Sequence, residues 1–302
     1  MNYKFNYYLG WSFVAIKKGL LFFLLFLKIS GNIYSQEFKT QKTKIVTQLE
    51  NTYKLDQEVR RTYNACVEKK GMGSEECKEQ RKALITQDSL NQIIISSILD
   101  KYGWIPEKET SKKANKAFFY VIQHGPLAFQ LKYAAQVEQA FKRKQVQPIE
   151  YMFFIDRLNS KQGKAQIYGT QSETDNLGNQ LLYPIKNWEI VNKLRKKMGI
   201  SKIDLSKTPE YAHFPRILGG DTVVLIGHTY TKENKPIAHA IVLKGSTIIG
   251  TSNEMGLFII NIRKKPEEEV PIKILANEND LKGITQIIKG KRDFYDIYAQ
   301  FN

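Results

Sequence analysis

Eight polar residues between positions 123 and 171 have the types and the spacing that acid–base chemistry or anion binding requires. They are Gln123, His124, Asp156, Arg157, Gln166, Tyr168, Thr170 and Gln171. His124 lies in the last turn of a predicted helix, where the helix dipole favours the protonated ring. A histidine and a carboxylate that converge with an arginine and side-chain amides could transfer protons or bind an anionic ligand. We therefore take His124 and Asp156 as candidate catalytic residues and the other six as candidate ligand-binding residues.

The same residues also fit a purely structural role. On a predicted strand over 166–171, Gln166, Tyr168 and Thr170 share one face, and a short turn brings that strand back beside Asp156. Buried polar networks of this kind are common where helices meet a hairpin. Sequence alone leaves both interpretations open, an accessible cleft and a buried network.

The sequence contains no motif that indicates a resident cofactor. A P-loop, a dinucleotide-binding fingerprint, a nucleophile elbow, an HExxH motif and an EF-hand loop are all missing from it. We therefore predict no cofactor and no metal site.

The elements that must position these residues change in character along the chain. From Gln36 to about residue 198 the apolar period is mostly helical, with two short extended runs at 166–171 and 181–185. Beyond a segment rich in Pro and Gly the period becomes two, and seven strands are predicted between 223 and 298. The predicted fold is multidomain α+β: an α-helical domain with a small β-hairpin, followed by a seven-stranded antiparallel β-sandwich. The expected domains are a signal peptide at 1–35, an α-rich domain at 36–207, a linker at 208–219 and the sandwich at 220–302.

The first 35 residues have the pattern of an export signal. Lysines precede the nine-residue apolar run Gly19–Leu27, and small residues follow, so that cleavage before Gln36 is expected. The alternative is a retained membrane anchor, but nine apolar residues are too few to span a bilayer. We predict a periplasmic or secreted protein that contacts a membrane only through an uncleaved signal.

The chain is strongly basic, with a formal net charge of +16. Residues 1–35 carry four lysines and no acidic residue, so cleavage lowers this charge to +12. Nucleic acid is not expected as a partner of an exported protein. Anionic envelope polymers or another envelope protein are the expected partners.

Cys66 and Cys77 are the two cysteines of the chain, and they flank a predicted turn between two helices. In an oxidising compartment they can form a disulfide across this turn. A redox pair is the alternative, although such pairs usually have the tighter Cys-x-x-Cys spacing. We predict a structural disulfide.

Four short motifs occur in order along the α-rich part. They are Tyr102-Gly103-Trp104, Gln123-His124, Asp156-Arg157 and the run Gln166–Gln171, with Arg195 and Gly199 in a closing segment. In these motifs, residues 53–200 resemble an uncharacterised bacterial domain-of-unknown-function family. This resemblance implies no established activity.

The carboxy-terminal part resembles a second family, the carboxypeptidase regulatory-like domain. The matching segments are Gly227-His228-Thr229, Asn234–Ala240, Gly250-Thr251 and Asn253–Phe258. The resemblance implies a transthyretin-like sandwich that serves as a scaffold or a binding module.

Three functions remain open from the sequence. The leading hypothesis is an exported envelope protein whose α-rich domain has a polar cleft and whose β-sandwich binds or docks. The alternatives are an envelope hydrolase that uses His124 and Asp156, and a purely structural interaction protein.

Overall fold

The computed structural model of the chain describes residues 9–71, 74–174, 180–204, 220–280 and 282–302. The chain divides into two compact units. The first comprises the residues up to Phe129 together with Tyr133–Gln145, and the second comprises Gln130–Lys132 and Val146–Asn302. The first eight residues of the predicted signal and the predicted linker at 208–219 lie outside the described residues. Within the described ranges, no helix carries a stretch that is both long and apolar enough to cross a membrane.

Six α-helices account for most of the amino-terminal region that the structure describes. They are Leu9–Lys70 (α1), Glu75–Tyr102 (α2), Lys112–His124 (α3), Leu127–Lys142 (α4), Pro148–Lys161 (α5) and Trp188–Lys197 (α6), with a short 3₁₀ helix at Glu107–Glu109. This confirms the predicted helical region. It includes the segment at 149–158, for which a short strand was the alternative.

The buried stripe of α1 contains polar as well as apolar residues. Ile45, Leu49, Thr52 and Asp56 are buried at spacings of three or four residues. Tyr53, which sequence periodicity places with Ile45 and Leu49, is only half-buried. A carboxylate at a buried position needs a charged or hydrogen-bonding partner, so α1 must meet polar groups of neighbouring helices.

A disulfide joins the end of α1 to the start of α2. Cys66 and Cys77 are bonded, and their Cα atoms are 5.6 Å apart. Ser74 caps α2 by accepting a hydrogen bond from the backbone N–H of Cys77. Residues 72–73 between the two helices lie outside the described residues. The bridge therefore links two helices that the sequence joins by a short turn.

An irregular loop follows α5 in the place of the predicted strand over 166–171. The observed hairpin lies further along the chain and consists of Ser172–Thr174 (β1) and Gln180–Leu182 (β2). The turn between its strands lies outside the described residues. The predicted strand is wrong because the backbone N–H groups of this segment converge on one buried carboxylate, whereas successive N–H groups of a flat strand point to opposite sides.

Seven strands form two sheets in the carboxy-terminal region. They are Thr222–Thr231 (β3), Ile241–Lys244 (β4), Thr247–Thr251 (β5), Leu257–Arg263 (β6), Val270–Leu275 (β7), Ile284–Ile288 (β8) and Phe294–Phe301 (β9). The strand orders are β6-β3-β9 and β5-β4-β7-β8. Because β3 and β9 are parallel, the first sheet is mixed, and the prediction of a wholly antiparallel sandwich is wrong on this point.

The two sheets share one apolar core. Val223, Leu225 and Ile297 of the mixed sheet belong to the same buried cluster as Ile272 and Ile274 of the other sheet. These residues alternate with more exposed ones along β7 and β9, as expected for strands with one face inside.

The mixed sheet also packs against the β1–β2 hairpin through its other face. Leu181 of β2 lies in one apolar cluster with Phe294, and the ring of Tyr183 stacks on that of Phe294 at 5.5 Å between centroids. The carbonyl oxygen of Gly163 accepts hydrogen bonds from the backbone N–H groups of Asp293 and Phe294, at 2.7 and 3.1 Å. The segment after α5 and the sheets thus belong to one packed unit.

Candidate functional site

Four side chains of the first unit form a charged group that we term the His124 cluster: Asp56, Arg60, Asp88 and His124. The Nδ1 atom of His124 lies 3.0 Å from Oδ1 of Asp56 and 2.7 Å from Nε of Arg60. The Nη2 group of Arg60 donates to Oδ1 of Asp56 at 3.3 Å and to Oδ1 of Asp88 at 2.5 Å. The cluster therefore joins α1, α2 and α3.

The members of the His124 cluster differ in burial. The side chain of Asp56 is 1% exposed, whereas those of Arg60, Asp88 and His124 are 17–19% exposed. Burial alone raises the pKa of Asp56, but hydrogen bonding and charge attraction from His124, together with the charge of Arg60, outweigh it and hold that pKa below its ordinary value. A protonated Nδ1 donates to Asp56, while a deprotonated Nδ1 accepts from Arg60. The ring thus has a partner in either state.

Gln57 connects the His124 cluster to a groove on the same unit. Its Nε2 group donates to Oδ2 of Asp56 at 2.8 Å. The groove, which we term the basic groove, has a volume of about 320 Å³ and is lined by Glu50, Asn51, Tyr53, Lys54, Gln57, Arg61 and Lys113. The ring of Tyr53 lies 5.9 Å from that of Tyr120, which lies 5.8 Å from that of His124. Polar and aromatic contacts therefore both run from the cluster to the groove wall.

The lining of the basic groove has an excess of positive charge. Lys54, Arg61 and Lys113 are its cations, and Glu50 is its one carboxylate. That carboxylate already accepts a hydrogen bond from the hydroxyl of Ser111 at 2.6 Å. A concave surface with such an excess attracts anions, so this groove has the chemistry of an anion site.

In the second unit, Asp156 organises the loop over 166–171. Its Oδ1 accepts hydrogen bonds from the backbone N–H groups of Ile167 and Tyr168, at 2.8 and 3.1 Å. Its Oδ2 accepts from the N–H and the hydroxyl of Thr170, both at 3.0 Å. Asp156 is fully buried, and burial raises its pKa even though these hydrogen bonds act in the opposite direction.

Other side chains hold the same loop from different directions. The Oε1 atom of Gln166 accepts from the N–H of Gln171 at 2.7 Å, and its Nε2 group donates to the carbonyl oxygen of Gln171 at 2.8 Å. The Nη1 group of Arg195 donates to the carbonyl oxygen of Tyr168 at 2.8 Å. Gly169 has a φ of +65°, and a Cβ there would lie 2.7 Å from two isoleucine side chains. The loop is therefore fixed in one shape.

The predicted site residues fall into two groups, one in each unit. Arg157 donates to Oε1 of Gln171 at 3.2 Å, which adds it to the network of Asp156 and the loop. Gln123 and His124 belong to the first unit, where Gln123 is buried on α3. The contacts of Asp156 support the buried-network interpretation, because both of its oxygens accept hydrogen bonds and solvent does not reach it.

Asp56 and Arg60 are the contacts of His124 that sequence reasoning missed. They precede it by 68 and 64 positions, so no short motif contains them. A usable signal was present on α1, where Asp56 follows Leu49 at helical spacing. An ionisable residue within a buried stripe indicates a buried partner.

Among the residues that the structure describes, no group of three or more His, Cys, Asp or Glu side chains could hold a metal ion.

Comparison with known proteins finds one family whose model matches the part of the chain that contains both groups of site residues. A family described as a family of unknown function, DUF6624, matches residues 46–210, a range that contains both the His124 cluster and the loop around Asp156. No curated protein matches the chain. Since the match covers more than half of the sequence, the chain belongs to the family of unknown function DUF6624.

Proposed function

We propose that this chain is an exported cell-envelope protein whose helical unit binds an anionic ligand in the basic groove. The observation that carries the proposal is the charge of the lining, in which Lys54, Arg61 and Lys113 oppose one engaged carboxylate. The net charge of the chain, which is +12 once the signal is cleaved, also attracts anions over a longer range. Anionic envelope polymers are the ligand class that fits both the charge of the lining and the net charge of the chain.

The His124 cluster supports this role by fixing part of the groove wall. Gln57 is hydrogen-bonded to Asp56, which is itself bound to Arg60 and His124. The lining amide is therefore held in place before a ligand arrives, and a preorganised group loses less conformational entropy on binding. Asp56 and Asp88 more than offset the charge of Arg60, so the positive field comes from the groove cations and not from the cluster.

The carboxy-terminal sheets serve in this proposal as a binding or docking module similar to the carboxypeptidase regulatory-like domain. One motif of that resemblance has a clear physical role. Gly256 has a φ of +70°, and a Cβ there would lie 2.3 Å from the carbonyl oxygen of Thr229. The Oδ1 atom of Asn253 accepts from the N–H groups of Met255 and Leu257. These contacts account for Asn and Gly in the Asn-Glu-Met-Gly turn.

The two rival functions have weaker support. An envelope hydrolase that uses His124 and Asp156 requires Asp156 to reach a substrate, yet its carboxylate is buried and engaged by the backbone of the loop. A purely structural interaction protein is compatible with that network, but it leaves the positive charge of the groove without a role. We therefore favour ligand binding.

Calorimetric titration of the purified chain with inorganic pyrophosphate, and separately with citrate, tests the groove. Lys113→Gln removes one lining charge and should weaken binding about two- to fivefold. Lys112→Gln is the matched control, because it removes the same charge from the adjacent position outside the lining, and it should leave binding unchanged. Equal losses from both variants would assign the attraction to net charge, and wild-type affinity in both Lys113→Gln and Arg61→Gln would overturn the proposal.

Export is tested separately by mass spectrometry of the protein recovered from the cell envelope. The expected amino terminus is Gln36, which can be cyclised. Native protein that retains Met1 would show that the signal is not cleaved.

A further inference from the structure

The outer face of α2 exposes three large apolar side chains close together in the sequence. Ile85, Leu90 and Ile93 are 54%, 50% and 68% exposed. The helix packs against α1 and α3, and the apolar residues that it buries there are a different set: Ile95, Ile98 and Leu99. The three exposed residues therefore do not belong to the core of the unit. Clustered apolar side chains on a surface often mark an interface with another protein.

A stripe of residues at alternating spacings of four and three runs along this face of α2. It consists of Lys82, Thr86, Ser89, Ile93, Ser96 and Asp100. All of them except the half-buried Ser96 are exposed, and Ile85 and Leu90 flank the stripe. Side chains at this spacing form one line along a helix, and two helices that pack side by side meet along such a line.

The stripe is complementary to itself in the antiparallel direction. Lys82 and Asp100 are its ends, and each lies nine positions from Asn91. Ser89 and Ile93 lie two positions on either side of the same residue. When two copies of α2 pack antiparallel about a twofold axis at Asn91, Lys82 of each copy meets Asp100 of the other. The large Ile93 of each copy then meets the small Ser89 of the other. A parallel pair would instead bring like charges together at both ends.

We propose that this face of α2 is a dimerisation surface, and that its occupant is α2 of a second copy of this chain in antiparallel orientation. The interface is isologous, so that each contact occurs twice. Leu90 and Ile93 of both copies form its apolar centre, and two pairs of Lys82 with Asp100 close its ends. Asp100 also accepts a hydrogen bond from the hydroxyl of Tyr133 at 2.9 Å, and a carboxylate can accept from several donors. None of the stripe residues lines the basic groove, so this proposal does not depend on the proposed function.

Sedimentation equilibrium of the purified chain tests the centre of the interface. Ile93→Glu places a carboxylate there in both copies and should raise the dissociation constant of the dimer about tenfold or more. Ile149→Glu is the matched control, because Ile149 is also an exposed isoleucine of a helix but belongs to the other unit, and it should leave the constant unchanged. A wild-type chain that stays monomeric throughout the micromolar range would overturn the proposal. So would a dimer that Ile93→Glu does not weaken, or that both variants weaken equally.

A reversal of charge at the ends tests the antiparallel direction. Lys82→Glu places a carboxylate opposite Asp100 twice in each dimer and should raise the dissociation constant about three- to tenfold. Lys78→Glu is the matched control, because it makes the same change one turn earlier, beyond the overlap of the two helices. The two lysines are 54% and 72% exposed and each bonds to the glutamate three positions before it, Glu75 or Glu79, so both variants should fold. Equal effects of the two variants, or no effect of Lys82→Glu, would overturn the antiparallel pairing.

Discussion

Replacement of Asp156 with Ala should destabilise the second unit by about 3–5 kcal/mol. The substitution removes the acceptor of the backbone N–H groups of Ile167, Tyr168 and Thr170, in a place that solvent does not reach. Each buried donor left unpaired costs about 1–3 kcal/mol. Part of this sum is returned, because the carboxylate is itself costly to bury, as its raised pKa indicates.

Two milder substitutions divide this cost into its contributions. Thr170→Val removes the hydroxyl bond to Asp156 and the long bond that this hydroxyl accepts from Nε2 of Gln171 at 3.2 Å, and it should cost about 1 kcal/mol. Asp156→Asn retains one acceptor oxygen but places an NH₂ group opposite a backbone N–H, and it should cost about 2 kcal/mol. The expected order of stability is wild type, Thr170→Val, Asp156→Asn and then Asp156→Ala.

Urea unfolding can measure this series if the signal comes from the second unit. The tryptophans of the sequence are Trp11, Trp104 and Trp188. In a chain that begins at Gln36 and carries Trp104→Phe, Trp188 at the start of α6 is the remaining indole reporter. A loss smaller than about 1 kcal/mol for Asp156→Ala, with an unchanged denaturant slope, would refute the buried-network reasoning.

The first unit offers two further tests, on its buried carboxylate and on its disulfide. Folding lowers the pKa of Asp56, so the stability it contributes is complete above the unfolded pKa of about 3.9 and is lost as the pH falls through the folded pKa. The difference in unfolding free energy between wild type and Asp56→Asn should therefore shrink below about pH 4, and a constant or growing difference would contradict this sign. Replacing both Cys66 and Cys77 with Ser should cost about 3 kcal/mol in urea unfolding followed by Trp104 fluorescence. Reduction of the wild type should cause the same loss, and stability that is unchanged by either treatment would count against the bridge as a restraint on the unfolded chain.

The positions of helices and strands were predictable because apolar periodicity is a local property. Seven strands were expected between 223 and 298, and the structure has seven between Thr222 and Phe301. The parallel pairing of β3 with β9 was not predictable in the same way. Alternation indicates which face of a strand is buried, but the neighbour of a strand depends on residues far away in the sequence.

The candidate site was predictable only in part, for related reasons. The alternating residues Gln166, Tyr168 and Thr170 imitate the period of a strand, although the segment wraps around Asp156. Gly169 in the middle of this run argued against a strand, because a glycine inside a strand pattern often marks an interruption. Its observed φ of +65° lies outside the range of β-strands. Asp56 and Arg60, which contact His124, come from another helix, and no spacing rule connects residues so far apart.

The parallel pairing of β3 with β9 has a consequence for how the protein folds. Val224 pairs with Phe294, a residue seventy positions later, so the mixed sheet is completed only after a long loop closes. Contacts of this sequence separation form more slowly than hairpins. Until β9 arrives, one edge of the apolar strand β3 has unpaired backbone groups and can pair with another chain. The yield of refolding should therefore fall with protein concentration, and it should depend on how quickly β9 covers this edge more than on the stability of the finished fold.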